Sequence, residues 1–282
     1  MEEAVARLVQ STLGGPAWEV RRPDHGWSDR SFVASSDERR VFVKFGTPGA
    51  IMRRVADLGV APAVLAVGEH DGTPYFIQEY AAGPYPHHAW VVEHRDQVAA
   101  LLSRVHHDAE LSALLNSPRR LVFQVAALHE SRRLIDTAFG DHPGLRAAEE
   151  WLATHQPALQ DADLVPTHGD ISPKNFLITS HGLLMVDWED VALADPIRDL
   201  GPLLWWYFPP RAWPGFMDSY GTRLTPTLTQ RVYWWAACLS LDITAGLLER
   251  GYREDAGGFL NDFLAAAARQ PNPRPHYSGL QR

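Results

Sequence analysis

The sequence holds a single cysteine, Cys238, among 282 residues. A lone thiol excludes an internal disulfide framework and a cysteine-rich zinc site. Basic charge is also scarce. Lys and Arg number 26 against 34 Asp and Glu, a net charge of −8, which argues against a nucleic-acid partner because such binders present a basic face. No run of 18 apolar residues occurs, so no membrane-spanning helix and no membrane partner are expected. The start, Met1-Glu2-Glu3, is acidic and lacks the apolar core of a signal peptide, so the expected location is cytoplasmic. There is no internal repeat and no low-complexity block.

Several catalytic signatures are missing as well. No G-x-x-x-x-G-K-[ST] occurs, which excludes a P-loop enzyme. His129-Glu130 is followed by Arg133 where H-E-x-x-H needs His, and no G-x-S-x-G elbow is present. The pairs His87-His88 and His106-His107 lack metal-ligand spacing. What remains is an ordinary globular composition, 45% apolar and 21% charged. A chain of this length can bury a sizeable core as one large domain or two intimate lobes.

The first 80 residues read as β-rich. A short helix over 2–13 ends at Gly14-Gly15-Pro16. Alternation predicts strands at 31–34 and 41–45, with Val41, Val43 and Phe45 on one face and Phe42 and Lys44 on the other. A helix over 51–58 stops at Gly59, and a strand pair at 64–67 and 75–79 brackets His70-Asp71-Gly72-Thr73. After Ala82-Gly83-Pro84 the period changes. Val98, Leu101, Leu102 and Val105 mark an amphipathic helix over 92–107, with further helices at 121–137, 145–155, 228–249 and 255–268. His106, at the end of its helix, is read as a capping and core residue. The expectation is an α+β chain: a small β-rich N-lobe over 1–80 and a larger, mostly helical C-lobe over 81–282, with a cleft between them.

The helical pattern breaks from 164 to 201, and the chemistry collects there. Thr167-His168-Gly169-Asp170-Ile171-Ser172-Pro173-Lys174-Asn175 is a polar loop. It runs into a hairpin, 176–178 and 183–186, that ends on Asp187. Asp170 and Asn175 have the D-x-x-x-x-N spacing of a kinase catalytic loop. Taken alone, that spacing also suits a turn stabilised by Asx side chains. Phosphoryl transfer needs such a set: a carboxylate for the hydroxyl proton, and hard oxygen donors for Mg²⁺.

The pattern His168-Gly169-Asp170-x-x-x-x-Asn175, Val186-Asp187-Trp188-Glu189-Asp190 and Ala194-Asp195-Pro196-Ile197-Arg198-Asp199-Leu200 resembles the aminoglycoside phosphotransferase and choline kinase superfamily. The resemblance implies a protein-kinase-like two-lobed fold and a small-molecule kinase, with ATP or GTP as co-substrate and Mg²⁺ as cofactor. It implies Asp170 as catalytic base, Asn175 and Asp187 as metal ligands, His168 as a loop-ordering residue and Asp199 as a brace of the loop. It implies Lys44 as the lysine on the nucleotide phosphates, where a plain strand lysine is the other reading. Ser28, within Gly26-Trp27-Ser28-Asp29-Arg30, falls where the nucleotide-covering loop belongs, or in an ordinary polar turn. Glu79 and Ala81, at the strand-to-linker junction, are the backbone positions for the purine. One departure stands out: the family pairs its strand lysine with a Glu on the next helix, and residues 45–56 contain no acid. Either Asp57 substitutes, or Lys44 relies on other groups.

The acceptor implied is a hydroxylated small molecule. Six of the ten Trp lie between 188 and 235. The rings of Trp205-Trp206-Tyr207-Phe208, Trp213 and Tyr233-Trp234-Trp235 read either as core or as a wall that stacks on flat rings or encloses a cationic head, with Glu189, Asp190, Asp218 and Asp242 as acids for amines. The leading expectation is a kinase of an antibiotic-like alcohol of the aminoglycoside, nucleoside or macrolide type, serving resistance or self-resistance. A metabolic kinase of choline, a sugar or an amino alcohol is the alternative. A catalytically silent kinase-like binding protein is the rival from another class.

Overall fold

A computed structural model describes residues 1–15, 17–23, 29–115, 135–160, 163–180 and 182–274. The chain divides into two compact units. One gathers Met1–Pro86, Asp108–Asn116 and Lys174–Asp190; the other takes His87–His107, Ser117–Pro173 and Val191–Arg282.

The first unit is built on a five-stranded antiparallel sheet, ordered β1-β2-β3-β5-β4. Its strands are β1 (Glu19–Arg21), β2 (Ser31–Ser35), β3 (Arg40–Phe45), β4 (Val64–His70) and β5 (Thr73–Glu79). The alternation read in β3 is kept. Val41 and Val43 join Phe32, Ala34, Tyr75 and Ile77 in a core that helix α1 (Glu2–Leu13) covers with Val5 and Val9. Burying a valine such as Val9 stabilises the unit by about 1.5–3 kcal/mol. The β4–β5 turn has two residues, Asp71 and Gly72, both at positive φ (50° and 73°). That backbone matches the twist of a tight hairpin, and Gly reaches it without strain.

Helix α2 (Gly49–Asp57) buries Ile51, Met52 and Val55. Its Arg54 grips Asp108 through Nε at 2.8 Å and Nη2 at 2.5 Å. Asp108 also caps a short helix, α5 (Ala109–Leu114), accepting from the Leu111 N–H at 2.6 Å. The Arg54 hydrogen bond holds the Asp108 carboxyl below its ordinary range, against the opposing pull of burial.

A second hairpin, β7 (Phe176–Thr179) with β8 (Gly182–Met185), belongs to this unit. Two backbone bonds seat it: Met185 N–H to the Val60 carbonyl (2.7 Å) and Ile178 N–H to the Pro84 carbonyl (3.1 Å). Gly83 lies so close that a Cβ placed there would stand 2.2 Å from the Ile178 carbonyl oxygen. Only glycine permits that approach.

The second unit is mainly helical. It holds α3 (His88–Glu93), α4 (Arg95–His106), α6 (Leu145–Thr154), α7 (Ile197–Tyr207), α8 (Trp213–Tyr220), α9 (Pro226–Glu249) and α10 (Arg253–Ala267). A short pair, β6 (Val165–Thr167) and β9 (Ala192–Ala194), flanks the polar loop. Thr225 caps α9 by accepting from the Leu228 N–H at 3.2 Å, with Pro226 at the first helical position. Gly201 brings α7 against α9; a Cβ there would lie 3.1 Å from Trp235 Cβ. The sequence periodicity misses α7 and α8. Residues 199–206 of α7 are all buried, so no amphipathic stripe exists to be read. The helix expected over 121–137 lies largely outside the described residues. Among the described residues no helix is long and apolar enough to cross a membrane.

The tryptophans between 205 and 235 are core. Trp205, Trp206, Trp213, Trp234 and Trp235 are all buried, and each indole N–H has a partner: Gln270 O, Asp262, Leu204 O with Phe208 O, Leu152 O and Asp195, respectively. A buried indole whose donor is satisfied packs as a hydrophobe and is not an open wall. Of the aromatic set, Tyr207 and Tyr233 keep partial exposure.

Candidate active site

Lys44 lies on the sheet face opposite the α1 core and is 5% exposed. An ammonium that deeply buried needs opposite charge. It has two carboxylates: Asp187 Oδ1 at 2.5 Å and Glu189. Both acids are about half exposed. The missing helix acid is thereby explained. Asp57 is exposed, with its charge felt by Arg54. The carboxylates on Lys44 come instead from the segment that follows β8. Glu189, read from the sequence as an acid for acceptor amines, faces Lys44.

The β7–β8 hairpin brings the backbone of Asn175 next to Val186, the residue before Asp187. Phe176 pairs with Met185, and one step outward the Val186 N–H donates to the Asn175 carbonyl at 2.9 Å. Asp187 follows directly, at φ 67°. A non-glycine residue in left-handed backbone is uncommon, and such residues gather at working sites. Two carboxylates facing one ammonium leave a formal charge of −1. Hard, anionic, partly exposed oxygen donors of this kind fit Mg²⁺. Among the described residues, no group of three or more His, Cys, Asp or Glu is arranged to hold a metal.

In the helical unit the polar loop is braced from below. Asp199 is 1% exposed. Its Oδ2 accepts from the His168 N–H (2.7 Å) and from His106 Nε2 (3.0 Å), and its Oδ1 accepts from the Gly169 N–H (2.8 Å). With Nε2–H donating to the carboxylate, His106 Nδ1 accepts from the Tyr220 hydroxyl at 2.8 Å. Burial alone would push the Asp199 carboxyl up. The His106 hydrogen bond, with the positive charge of Arg198, holds it below its ordinary value instead. His168 is fully buried, and its Nδ1 accepts from the Asp170 N–H at 3.3 Å. Gly169 sits at φ 90°, which a side chain would strain. Asp170 itself is exposed at the tip.

The sequence named Tyr207 only as one ring of an aromatic cluster, without a link to Asp170. Burial first, then the Asp170 charge, push its phenol well up, so the two groups share one neighbourhood. His88 lies against the same ring, with centroids 5.0 Å apart. Of the other sequence-predicted positions, Ser28 lies outside the described residues. Glu79 ends β5, with its N–H on the Ala63 carbonyl at 2.9 Å. Ala81 follows in the linker, and its backbone makes no hydrogen bond among the described residues.

In one unit a buried strand lysine meets two carboxylates, and in the other a braced loop carries Asp170. Residues 19–235 match the model of the phosphotransferase enzyme family, and the chain belongs to that family. Solved structures share the fold. Choline kinase from Streptococcus pneumoniae superposes with a TM-score of 0.67 at 17% identity, covering 95% of this chain and 98% of that one. A choline/ethanolamine kinase family protein from Mesorhizobium loti gives 0.68 at 21% identity, covering 100% and 99%. Spectinomycin phosphotransferase, solved with ADP and spectinomycin, gives 0.70 at 12% identity, covering 99% and 97%. The fold is therefore the kinase-like α+β fold, of the aminoglycoside phosphotransferase and choline kinase type. Mouse acyl-CoA dehydrogenase family member 10 is 26% identical over 86% of this chain. The chain spans about a quarter of the length of that curated relative, 26%.

Proposed function

We propose that this chain transfers the γ-phosphoryl group of a nucleoside triphosphate to a hydroxyl of a small molecule. The observation that carries the reading is the buried Lys44 ammonium on Asp187 and Glu189, with Asn175 held one rung away on the same hairpin. Lys44 steadies the α- and β-phosphates. Ser28 and the backbone at Glu79 and Ala81 complete the nucleotide contacts, so residues 1–80 serve the nucleotide and 81–282 serve catalysis and the acceptor. Asn175 and Asp187 are the residues that would hold Mg²⁺, which supplies neutralising charge for the phosphates. Asp170 accepts the proton of the acceptor hydroxyl as its oxygen bonds to the γ-phosphorus. The bridging oxygen leaves with the nucleoside diphosphate.

The acceptor in this reading is an antibiotic-like alcohol of the aminoglycoside, nucleoside or macrolide type, inactivated inside the cell as resistance or self-resistance. Spectinomycin bound in one structural neighbour supports it. A metabolic alcohol such as choline is the second reading, supported by the choline kinase neighbour.

The test is nucleotide turnover with a panel of hydroxylated acceptors, Mg²⁺ and either ATP or GTP. Asp170→Ala is expected to lower kcat by about a thousandfold or more while nucleotide affinity is kept. Asp187→Ala is expected to abolish the Mg²⁺-dependent part of nucleotide binding by calorimetry. Undiminished turnover in the first variant, or unchanged binding in the second, removes those residues from their roles. Binding without turnover on any acceptor returns the chain to a silent binding protein.

A further inference from the structure

Helix α2 follows β3 and offers Lys44 no acid: 45–56 contains none, and Asp57 is exposed. The helix still touches both halves of the lysine–carboxylate pair. Val67 pairs with Phe76, and Phe76 pairs with Lys44. Directly opposed residues share a sheet face, so these three form one row across β4, β5 and β3. Gly49, the first residue of α2, sits on that row; a Cβ there would stand 2.5 Å from Val67 Cβ. Past its other end, the Val60 N–H donates to the Val55 carbonyl at 3.3 Å. The Val60 carbonyl accepts from the Met185 N–H at 2.7 Å, two residues before Asp187. What holds α2 is Arg54, whose side chain is 25% exposed. Its Nε and Nη2 fork onto Asp108, at 2.8 and 2.5 Å, and its Nη1 reaches Glu110 at 2.6 Å. A planar guanidinium forked on one carboxylate and bridged to a second fixes direction as well as distance. Asp108 is itself fixed, because it caps α5.

We infer that Arg54 is a positioning residue for the nucleotide: clamped by Asp108 and Glu110, it seats α2 against the Lys44 row and the Asp187 hairpin, in place of an ion pair between the helix and the lysine. The inference rests on the nucleotide reading of Lys44 and Asp187 above. Seated, α2 keeps the row under Lys44 and the hairpin before Asp187 at one spacing. Released, it lets the two move apart. A nucleotide that needs the seated arrangement binds with an affinity reduced by the seated fraction. By linkage, the bound nucleotide in turn favours the seat.

The experiment is calorimetric binding of ADP and of GDP, each with Mg²⁺, to the full chain, to Arg54→Met and to Arg54→Lys, at a temperature where circular dichroism shows all three folded. Arg54→Met is expected to raise the Kd of the tighter nucleotide about tenfold, as a helix seated about one-tenth of the time would. Arg54→Lys keeps the charge and loses the fork, so its Kd is expected between those of the parent and Arg54→Met. Hydrogen exchange of the amides at 49–57 gives a second readout, one that an ion pair serving stability alone would not move. Bound nucleotide is expected to slow that exchange in the parent, and by a larger factor in Arg54→Met. Unchanged affinity in Arg54→Met, or exchange in α2 that ignores bound nucleotide, overturns the inference while leaving the nucleotide reading standing. Failure of the parent to bind either nucleotide overturns both. The parent's exchange with and without nucleotide decides the matter even if the variants fail to fold.

Discussion

Replacing Asp199 by Asn tests the brace beneath the polar loop. Its carboxylate accepts three hydrogen bonds, two on Oδ2 and one on Oδ1. Asn keeps one acceptor oxygen and turns the other into a donor. The least costly orientation puts the amide nitrogen toward Gly169, so one backbone N–H then faces another donor. Losing one hydrogen bond to a charged group costs about 1.5–3 kcal/mol. For a chain of this size each kcal/mol moves Tm by about 2–4 °C. Asp199→Asn should therefore lower Tm by roughly 3–12 °C in a thermal melt followed by tryptophan fluorescence. The pH dependence carries a sign of its own. The folded carboxyl sits below its unfolded value. The stability it contributes is therefore present above the ordinary carboxylate pKa of about 3.9 and is lost as pH falls through the lower, folded value. In the Asn variant this contribution to the acid limb disappears. Because the braced loop carries Asp170, kcat should also fall by about 10- to 100-fold, with the nucleotide KM unchanged. A variant that melts with its parent and keeps the parent's acid limb would refute the brace.

Glu189→Gln leaves the buried Lys44 with Asp187 as its one carboxylate; the nucleotide KM should rise about five- to tenfold, while the chain stays folded by circular dichroism. An unchanged KM would show that Asp187 alone positions the lysine. Gly83→Ala places a methyl 2.2 Å from the Ile178 carbonyl oxygen. It should cost about 1–3 kcal/mol as the hairpin seat shifts, read as a lower midpoint in urea with the slope unchanged; an unmoved midpoint would mean that the linker yields freely.

Much of the frame was legible. The strands at 31–34 and 41–45 appear as Ser31–Ser35 and Arg40–Phe45, and the helices at 2–13, 145–155, 228–249 and 255–268 lie within two residues of the observed ends. Each has a clean period of two or 3.6 and a local stop signal. Short elements escaped. The strands Glu19–Arg21, Val165–Thr167 and Ala192–Ala194 have three residues each, too few for alternation to show. At the site, the loop from His168 to Asn175 and the terminal Asp187 could be picked out because their spacing is local. Tyr207 stood out only as one ring of an aromatic cluster, because its relation to Asp170 is made by folding across 37 positions.

The chemistry on offer is set by the sequence alone: a loop carrying Asp170 and Asn175, a hairpin ending on Asp187, and Lys44 beside Phe42 on one face of its strand. Those facts depend on neighbours a few residues apart, where φ, ψ and side-chain direction are set locally. Only the tertiary structure decided what Lys44 touches and what the tryptophans do. Lys44 and Asp187 are 143 residues apart in the chain. The indoles find their acceptors on distant helices and on the C-terminal segment. A buried charge takes whichever opposite charge the packing brings to it, and no local pattern encodes that choice.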